Sequence, residues 1–295
     1  MARIRIGVSG WDYDQWQGDF YPERLARAHR LTHVGERFDT VEVNSTFYSL
    51  ATRRAVDRWY HSVPAGFVFA VKGSRYITHR KKLAGVETAL ANFFASGLLG
   101  LGDKLGPILW QLPEQLHFDA ERIDRFLGLL PRKTDQARAL ARHHDDRISD
   151  VAWGPHDRHR LRHVLEVRHA SWLCPELVTI ARRHRVAIAS SHAASWPYTE
   201  EVTAGFVYLR LHGPGRLYAS PYGADGLRRW SDRIRAWHEG REPADARRIT
   251  DRSPPARKGR DVYVYFDNDA GGYAPHEALA LRDLLGADDL APRQP

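Results

Sequence analysis

Three short stretches place ionisable or amide side chains two residues apart. "VEVN" carries Glu42 and Asn44, "LEVRH" carries Glu166 and Arg168, and "VYLRLHG" carries Arg210 and His212. The alternate positions are apolar: Val41 and Val43, Leu165 and Val167, Leu209 and Leu211. A two-residue period is strand geometry, so one face suits packing on helices while the other carries the polar groups. Lys72 in "FVFAVKGS", Gln111 in "PILWQLP" and Asp267, Asn268 and Asp269 in "FDND" extend the set. Carboxylates beside strong cations are what acid/base chemistry on an anion requires. Lys72, Arg168 and Arg210 would grip a phosphate or carboxylate, the arginines bidentately. Glu42 and Glu166 would exchange protons, their pKa values set apart by burial and by those cations, with His212 as a second proton-transfer group. A lone buried charge costs several kcal/mol, so the set must either neutralise itself as an ion network or line a wet cavity. The mixture of carboxylates, cations and a histidine favours the pocket.

Aromatic walls for such a pocket come from Trp11, Tyr13 and Trp16 in "GWDYDQW" and from Phe47 and Tyr48. His79, His169 and His212 could combine with Glu42, Glu166 and Asp267 into a nitrogen and oxygen site for Zn or Mn. No HExxH spacing supports it, and most of the sixteen histidines must be bystanders. A bound divalent ion is therefore a secondary reading, and no metal or other cofactor is expected. There is no GxSxG elbow and no GxGxxG turn, which argues against a serine nucleophile and a dinucleotide site.

The elements that would hold these residues alternate along the chain. Strand-like runs fall at 4–10, 40–46, 67–74, 107–113, 163–169, 186–192, 206–213 and 262–268. Between them lie segments with apolar residues at helical spacing, such as Val56, Trp59, Tyr60 and Val63, or Leu227, Trp230, Ile234 and Trp237. After the sixth strand, "AASWPYTEEVTAG" leaves little room for a helix. Eight strands alternating with helices predict a single α/β domain over 1–295, a closed parallel (β/α)₈ TIM barrel with a helical shell. In that fold the reacting groups stand at the C-terminal strand ends, where the polar set lies. Two segments exceed an economical barrel: a charged insertion at about 132–160, expected to hold an extra helix, and a basic loop at about 239–260, expected to be mobile. A short tail follows at 287–295.

Hydrophobic content of 43% supports a large core, and the single cysteine excludes an internal disulfide framework. No run approaches the roughly 20 apolar residues of a membrane span, so the expected setting is the cytoplasm, with no membrane partner. The net charge of +8 is carried almost wholly by arginine and is spread along the chain. It suits an anionic partner, and a GC-rich genome would give the same bias. Nothing in the sequence fixes an oligomeric state.

The motifs "IGVSGWDYDQWQGDFYP", "VEVNSTFY", "FVFAVKGSRYITH", "LGPILWQLP", "LEVRHASW", "VYLRLHG" and "VYVYFDN" occur in that order. Together they resemble the YecE-like family, domain of unknown function 72, from Ile6 to about Leu285. The resemblance implies a TIM barrel and supplies no reaction. Its characteristic polar positions would fall on Gly10, Trp11, Glu42, Asn44, Lys72, Thr78, His79, Gln111, Glu166, Arg168, His169, Arg210, His212, Gly213 and Asn268. Where family members often have Asn-Asn in the last strand, this chain has Asp267 and Asn268, which weakens a catalytic role for Asp267. The expected function is an enzyme using acid/base chemistry on a small anionic, phosphorylated or carboxylated, substrate. Glu42, Glu166 and His212 would be catalytic, and Trp11, Tyr13, Asn44, Lys72, His79, Gln111, Arg168, His169, Arg210 and Asn268 would bind. Nucleic-acid binding or processing is the alternative, with the 239–260 loop touching backbone, and a non-catalytic ligand-binding barrel is the third reading.

Overall fold

The computed structural model describes residues 2–151, 153–154 and 159–286. The 287–295 tail and part of the 132–160 insertion lie outside the described residues. Nine parallel strands run in chain order: β1 Ile4–Ser9, β2 Thr40–Val43, β3 Val68–Lys72, β4 Leu105–Gln111, β5 His163–Glu166, β6 Ala187–Ile188, β7 Ser190–His192, β8 Phe206–Leu211 and β9 Asp261–Phe266. They form one sheet in the order β6-β5-β4-β3-β2-β1-β9-β8-β7. The two edges are consecutive pieces of one extended segment. β6 pairs with β5, β7 pairs with β8, and Ala189 between them donates its N–H to the Leu165 carbonyl at 2.9 Å. The sheet is thus a nearly closed barrel, and its ninth strand arises because the expected sixth is split at one residue.

Around it lie α1 Arg30–Arg37, α2 Ser45–Tyr48, α3 Arg53–His61, α4 Glu87–Ala95, α5 Ala120–Leu129, α6 Thr134–Ala141, α7 Pro175–His184, α8 Gly223–His238 and α9 Tyr273–Leu285. Local chemistry sets several ends. The Thr52 hydroxyl accepts from Ala55 N–H to cap α3, Asp119 accepts from Arg122 N–H to cap α5, and Pro175 opens α7. The extra helix of the insertion is α6.

Two apolar layers are distinct. Val41, Val43, Leu165, Val167, Leu209 and Leu211 pack outward against the helices. Val68, Ala70, Leu109, Val164, Tyr208 and Tyr265 fill the barrel interior. Interior packing is close enough that a Cβ at Gly7 would sit 2.0 Å from the Thr40 carbonyl oxygen.

No helix separates β7 from β8. Residues 199–201 run down the outside of the barrel, and the segment after α8 covers them. Buried Glu201 accepts from Ile249 N–H at 2.8 Å and Thr250 N–H at 3.0 Å, and Glu200 accepts from Arg247 N–H at 2.8 Å. The 239–260 segment, expected to be a loop, is bonded at residues 247–250 where a helix would otherwise cover the barrel.

Candidate active site

Above the apolar interior, the C-terminal ends of the strands converge on Arg210, a β8 side chain only 1% exposed. Its Nε donates to Glu42 Oε2 at 3.0 Å and its Nη2 to Glu42 Oε1 at 2.7 Å, a bidentate pair. Nη1 donates to both oxygens of Glu166, at 3.1 and 3.2 Å, and Nη2 also reaches Asp267 Oδ2 at 2.9 Å. One guanidinium thus binds carboxylates from β2, from β5 and from the end of β9.

The remaining acceptor positions are filled too. Ser9 Oγ donates to Glu42 Oε1 at 2.5 Å and the Tyr208 hydroxyl to Oε2 at 2.6 Å. Gln111 Nε2 donates to Glu166 Oε2 and Ser191 Oγ to Oε1, each at 2.7 Å. Both glutamates are fully buried. Burial alone would raise the Glu166 pKa, but Arg210, Arg168 and His212 outweigh it and hold the carboxyl well below its usual range. Asp267 is lowered in the same way, chiefly by Arg210 against the effect of burial. Asp269, next along, moves upward because it is buried beside Asp267. Tyr13, which donates to the Ser9 carbonyl at 2.6 Å, abuts this corner, and Gly10 permits it: a Cβ there would lie 2.7 Å from the Tyr13 hydroxyl.

His212 is sealed within the same network. Its Nδ1 lies 3.1 Å from Asp267 Oδ2 and its Nε2 3.2 Å from Arg210 Nη1, beneath the rings of Trp196 and Tyr218. Tyr218 has φ 61°, a conformation that costs a non-glycine residue about 1 kcal/mol or more. Its N–H donates to the His212 carbonyl at 2.7 Å.

Nearer the opening stand the groups that the network does not consume. Among the described residues Lys72 Nζ has no hydrogen bond or ion pair to the protein, and it lies 4.5 Å from the Phe47 ring centre. Burial and the charge of Arg210 pull its pKa down to about 8. His79 meets the same ring, centre to centre at 5.0 Å, with Nδ1 bonded to Thr78 Oγ1 at 2.8 Å. Burial, then Arg168 and Lys72, lower His79 to about 4, so it is neutral at pH 7. Arg168 Cζ lies 3.6 Å from the Trp196 ring centre, and its Nη2 lies 3.6 Å from Glu166 Oε1.

Of the residues singled out from sequence, Glu42, Asn44, Lys72, Gln111, Glu166, Arg168, Arg210 and His212 gather here. Asn44 joins through a 2.9 Å bond to Ser9 Oγ although β2 ends at Val43. The chain turns helical at Ser45, which sends Thr46 to the Lys72 carbonyl and brings Phe47 to Lys72 Nζ. Three others stand apart. Asn268 bonds Glu277 of α9 and the Ser220 carbonyl, His169 meets His117 ring to ring at 3.9 Å and bonds Ser171, and Trp11 packs edge-on to Trp59. Sequence reasoning missed Ser9, Ser191 and Tyr208, although Tyr208 lies two residues before Arg210 on the same face. Among the described residues no three His, Cys, Asp or Glu side chains are arranged to hold a metal ion. The Arg210 guanidinium fills the space between the carboxylates that would have done so.

A family model described as "Protein of unknown function DUF72" matches residues 5–295. The chain belongs to the DUF72 family. The UPF0759 protein YunF of Bacillus subtilis (strain 168) is 22% identical over 317 residues, spanning 99% of this chain and 98% of that protein. Crystal structures of DUF72 family proteins share the fold. One from Thermotoga maritima MSB8 has a TM-score of 0.70 at 21% identity, covering 96% of this chain and 99% of the other. One from Enterococcus faecalis V583 has a TM-score of 0.66 at 18% identity, covering 99% of each. The DUF72 barrel is therefore the frame in which the Arg210 network stands.

Proposed function

We propose that this DUF72 protein is an enzyme that binds a small phosphorylated or carboxylated molecule at the C-terminal mouth and acts on it by acid/base chemistry. The observation that carries the reading is the division between Arg210, saturated by carboxylates, and Lys72, a cation without a protein acceptor among the described residues, beside a neutral imidazole. Three carboxylates (Glu42, Glu166 and Asp267) are offset by Arg210, Arg168 and Lys72, so the site is close to neutral and Lys72 is the cation open to a ligand anion. An amine with a pKa of about 8 is poised to exchange a proton near neutral pH, and the imidazole beside it, with one of about 4, stays neutral and adds no competing charge. Glu166 and Glu42 then act by holding Arg210 and setting the field at Lys72, while Arg168 and Asn44 orient the substrate.

The reading is tested by incubating the protein with a pool of phosphorylated and carboxylated sugars and following turnover by mass spectrometry. Lys72→Met should remove turnover with folding intact, and Glu166→Gln should reduce it. Full activity of both variants on an identified substrate would defeat the assignment.

A further inference from the structure

The opposite end of the barrel carries a second concentration of charge. A cavity of about 610 Å³ opens at the starts of β5 and β8, and no aspartate or glutamate lines it. Five of its cations, Arg132, Lys133, Arg160, Arg185 and Arg257, have no carboxylate partner among the described residues. Two others are already matched: Arg162 by Asp261 and Arg182 by Glu201. The two segments that exceed a minimal barrel meet here. Arg132, Lys133 and Arg160 come from the 132–160 insertion, where the backbones of Lys133 and Arg160 pair in an isolated antiparallel β-bridge, and Arg257 comes from the segment after α8.

All five unmatched residues are exposed at the cavity's rim. Partial burial and the facing charges of Arg185, Arg162, Arg257 and Arg132 lower the pKa of Arg160, the sign of mutual repulsion. Arg185 closes α7 in the left-handed conformation at φ 57°, where glycine or asparagine is the usual choice. Gly205 leaves room for the Arg257 guanidinium, since a Cβ there would meet Arg257 Nη2 at 3.0 Å. Such repulsion is tolerated where a ligand supplies the counter-charge.

We propose that this cavity binds a small molecule carrying two or more linked phosphate groups, at a site separate from the barrel mouth. Five unmatched cations exceed what a single phosphate neutralises. The concave shape, its lining of Leu161, Ala204 and Phe206 and its volume suit a small ligand, within the roughly 300–1,000 Å³ of small-molecule pockets. An extended nucleic-acid backbone would call for an open stripe of charge.

Calorimetric titration of the full chain with inorganic tripolyphosphate tests the proposal. Binding is expected to weaken at least tenfold in the double variant R160Q/R257Q, and to weaken between about 50 and about 200 mM salt. Lys72→Met removes the cation at the barrel mouth, and the loss caused by R160Q/R257Q should persist in that background. Without ligand, the double variant should be as stable as the parent or more stable, because repulsion is relieved. A structural role would instead lower its unfolding temperature, and that result overturns the proposal. So does failure of tripolyphosphate to bind, undiminished affinity in the double variant, or binding of a short oligonucleotide where tripolyphosphate does not bind.

Discussion

At the scale of the residue, Arg210 and Lys72 share a barrel end and have opposite duties. Removing Arg210 takes away the guanidinium that joins Glu42, Glu166 and Asp267, leaving Arg168 as the one arginine beside Glu166 among the described residues. Arg210→Met is therefore expected to lower the denaturant-measured unfolding free energy by about 3–5 kcal/mol, the usual cost of breaking a buried ion pair on one side. Lys72→Met removes a partly buried charge that no carboxylate offsets directly, so its stability should match or exceed the parent's. Equal losses in the two variants would contradict the division. The inward polar face was legible in the sequence because a strand shows its faces by alternation, as Glu42 against Val41 and Val43. What alternation does not show is which cation the carboxylates will consume. Arg210 becomes the centre only because β2, β5 and β9 deliver their carboxylates to one point, a fact of closure with no trace in any one strand.

At the scale of the element, the sequence marked the weak place without revealing its remedy. "AASWPYTEEVTAG" was legible as too short for a helix, and none is there. The covering segment lies some 45 residues further on, tied by backbone N–H groups at 247, 249 and 250 to Glu200 and Glu201, a pairing that periodicity does not encode. Glu201 also accepts from Arg182 Nη2 at 2.7 Å. Glu201→Ala should leave these donors and the Arg182 charge without their acceptor, at a cost of about 1–3 kcal/mol. Hydrogen exchange at Ile249 and Thr250 should quicken while exchange in β1–β4 stays at the parent rate. Unchanged protection at 249–250 would mean that the segment is held by something else. Asn44 and Phe47 show the same limit at β2, where four strand residues are followed by a helical turn that reassigns Thr46 from the inner face to the Lys72 carbonyl.

At the scale of the whole molecule, three histidines resist protonation. His163, His192 and His79 all have pKa values lowered to about 4, burial being the largest cause in each. In His163 both ring nitrogens are engaged, with Nδ1 accepting from Trp110 Nε1 at 3.2 Å and Nε2 bonded to the Pro131 carbonyl at 2.7 Å, an arrangement that only the neutral ring satisfies. The unfolded chain takes up these protons near pH 6.5 and the folded one only near 4. Stability should thus be fully present above pH 6.5 and fall as the pH drops from 6.5 towards 4, by up to ~3 kcal/mol for His163 alone. Denaturant unfolding across that range measures it, and a flat profile would contradict the neutral assignment. The fold was legible at this scale because every strand announced itself, whereas the cationic cavity opposite the mouth was not, since its arginines come from segments more than a hundred residues apart.

The central claim is that Lys72 is the cation left free to meet a substrate anion. Titration calorimetry at pH 8 with a panel of small phosphorylated and carboxylated molecules, repeated in buffers of different ionisation enthalpy, tests it most directly. With a pKa of about 8, Lys72 is about half protonated there. A mouth ligand should bind with uptake of up to about half a proton, and Lys72→Met should abolish the uptake and weaken binding at least tenfold. Binding with no proton uptake, unaltered in Lys72→Met, or no binding by any member of the panel would contradict the account.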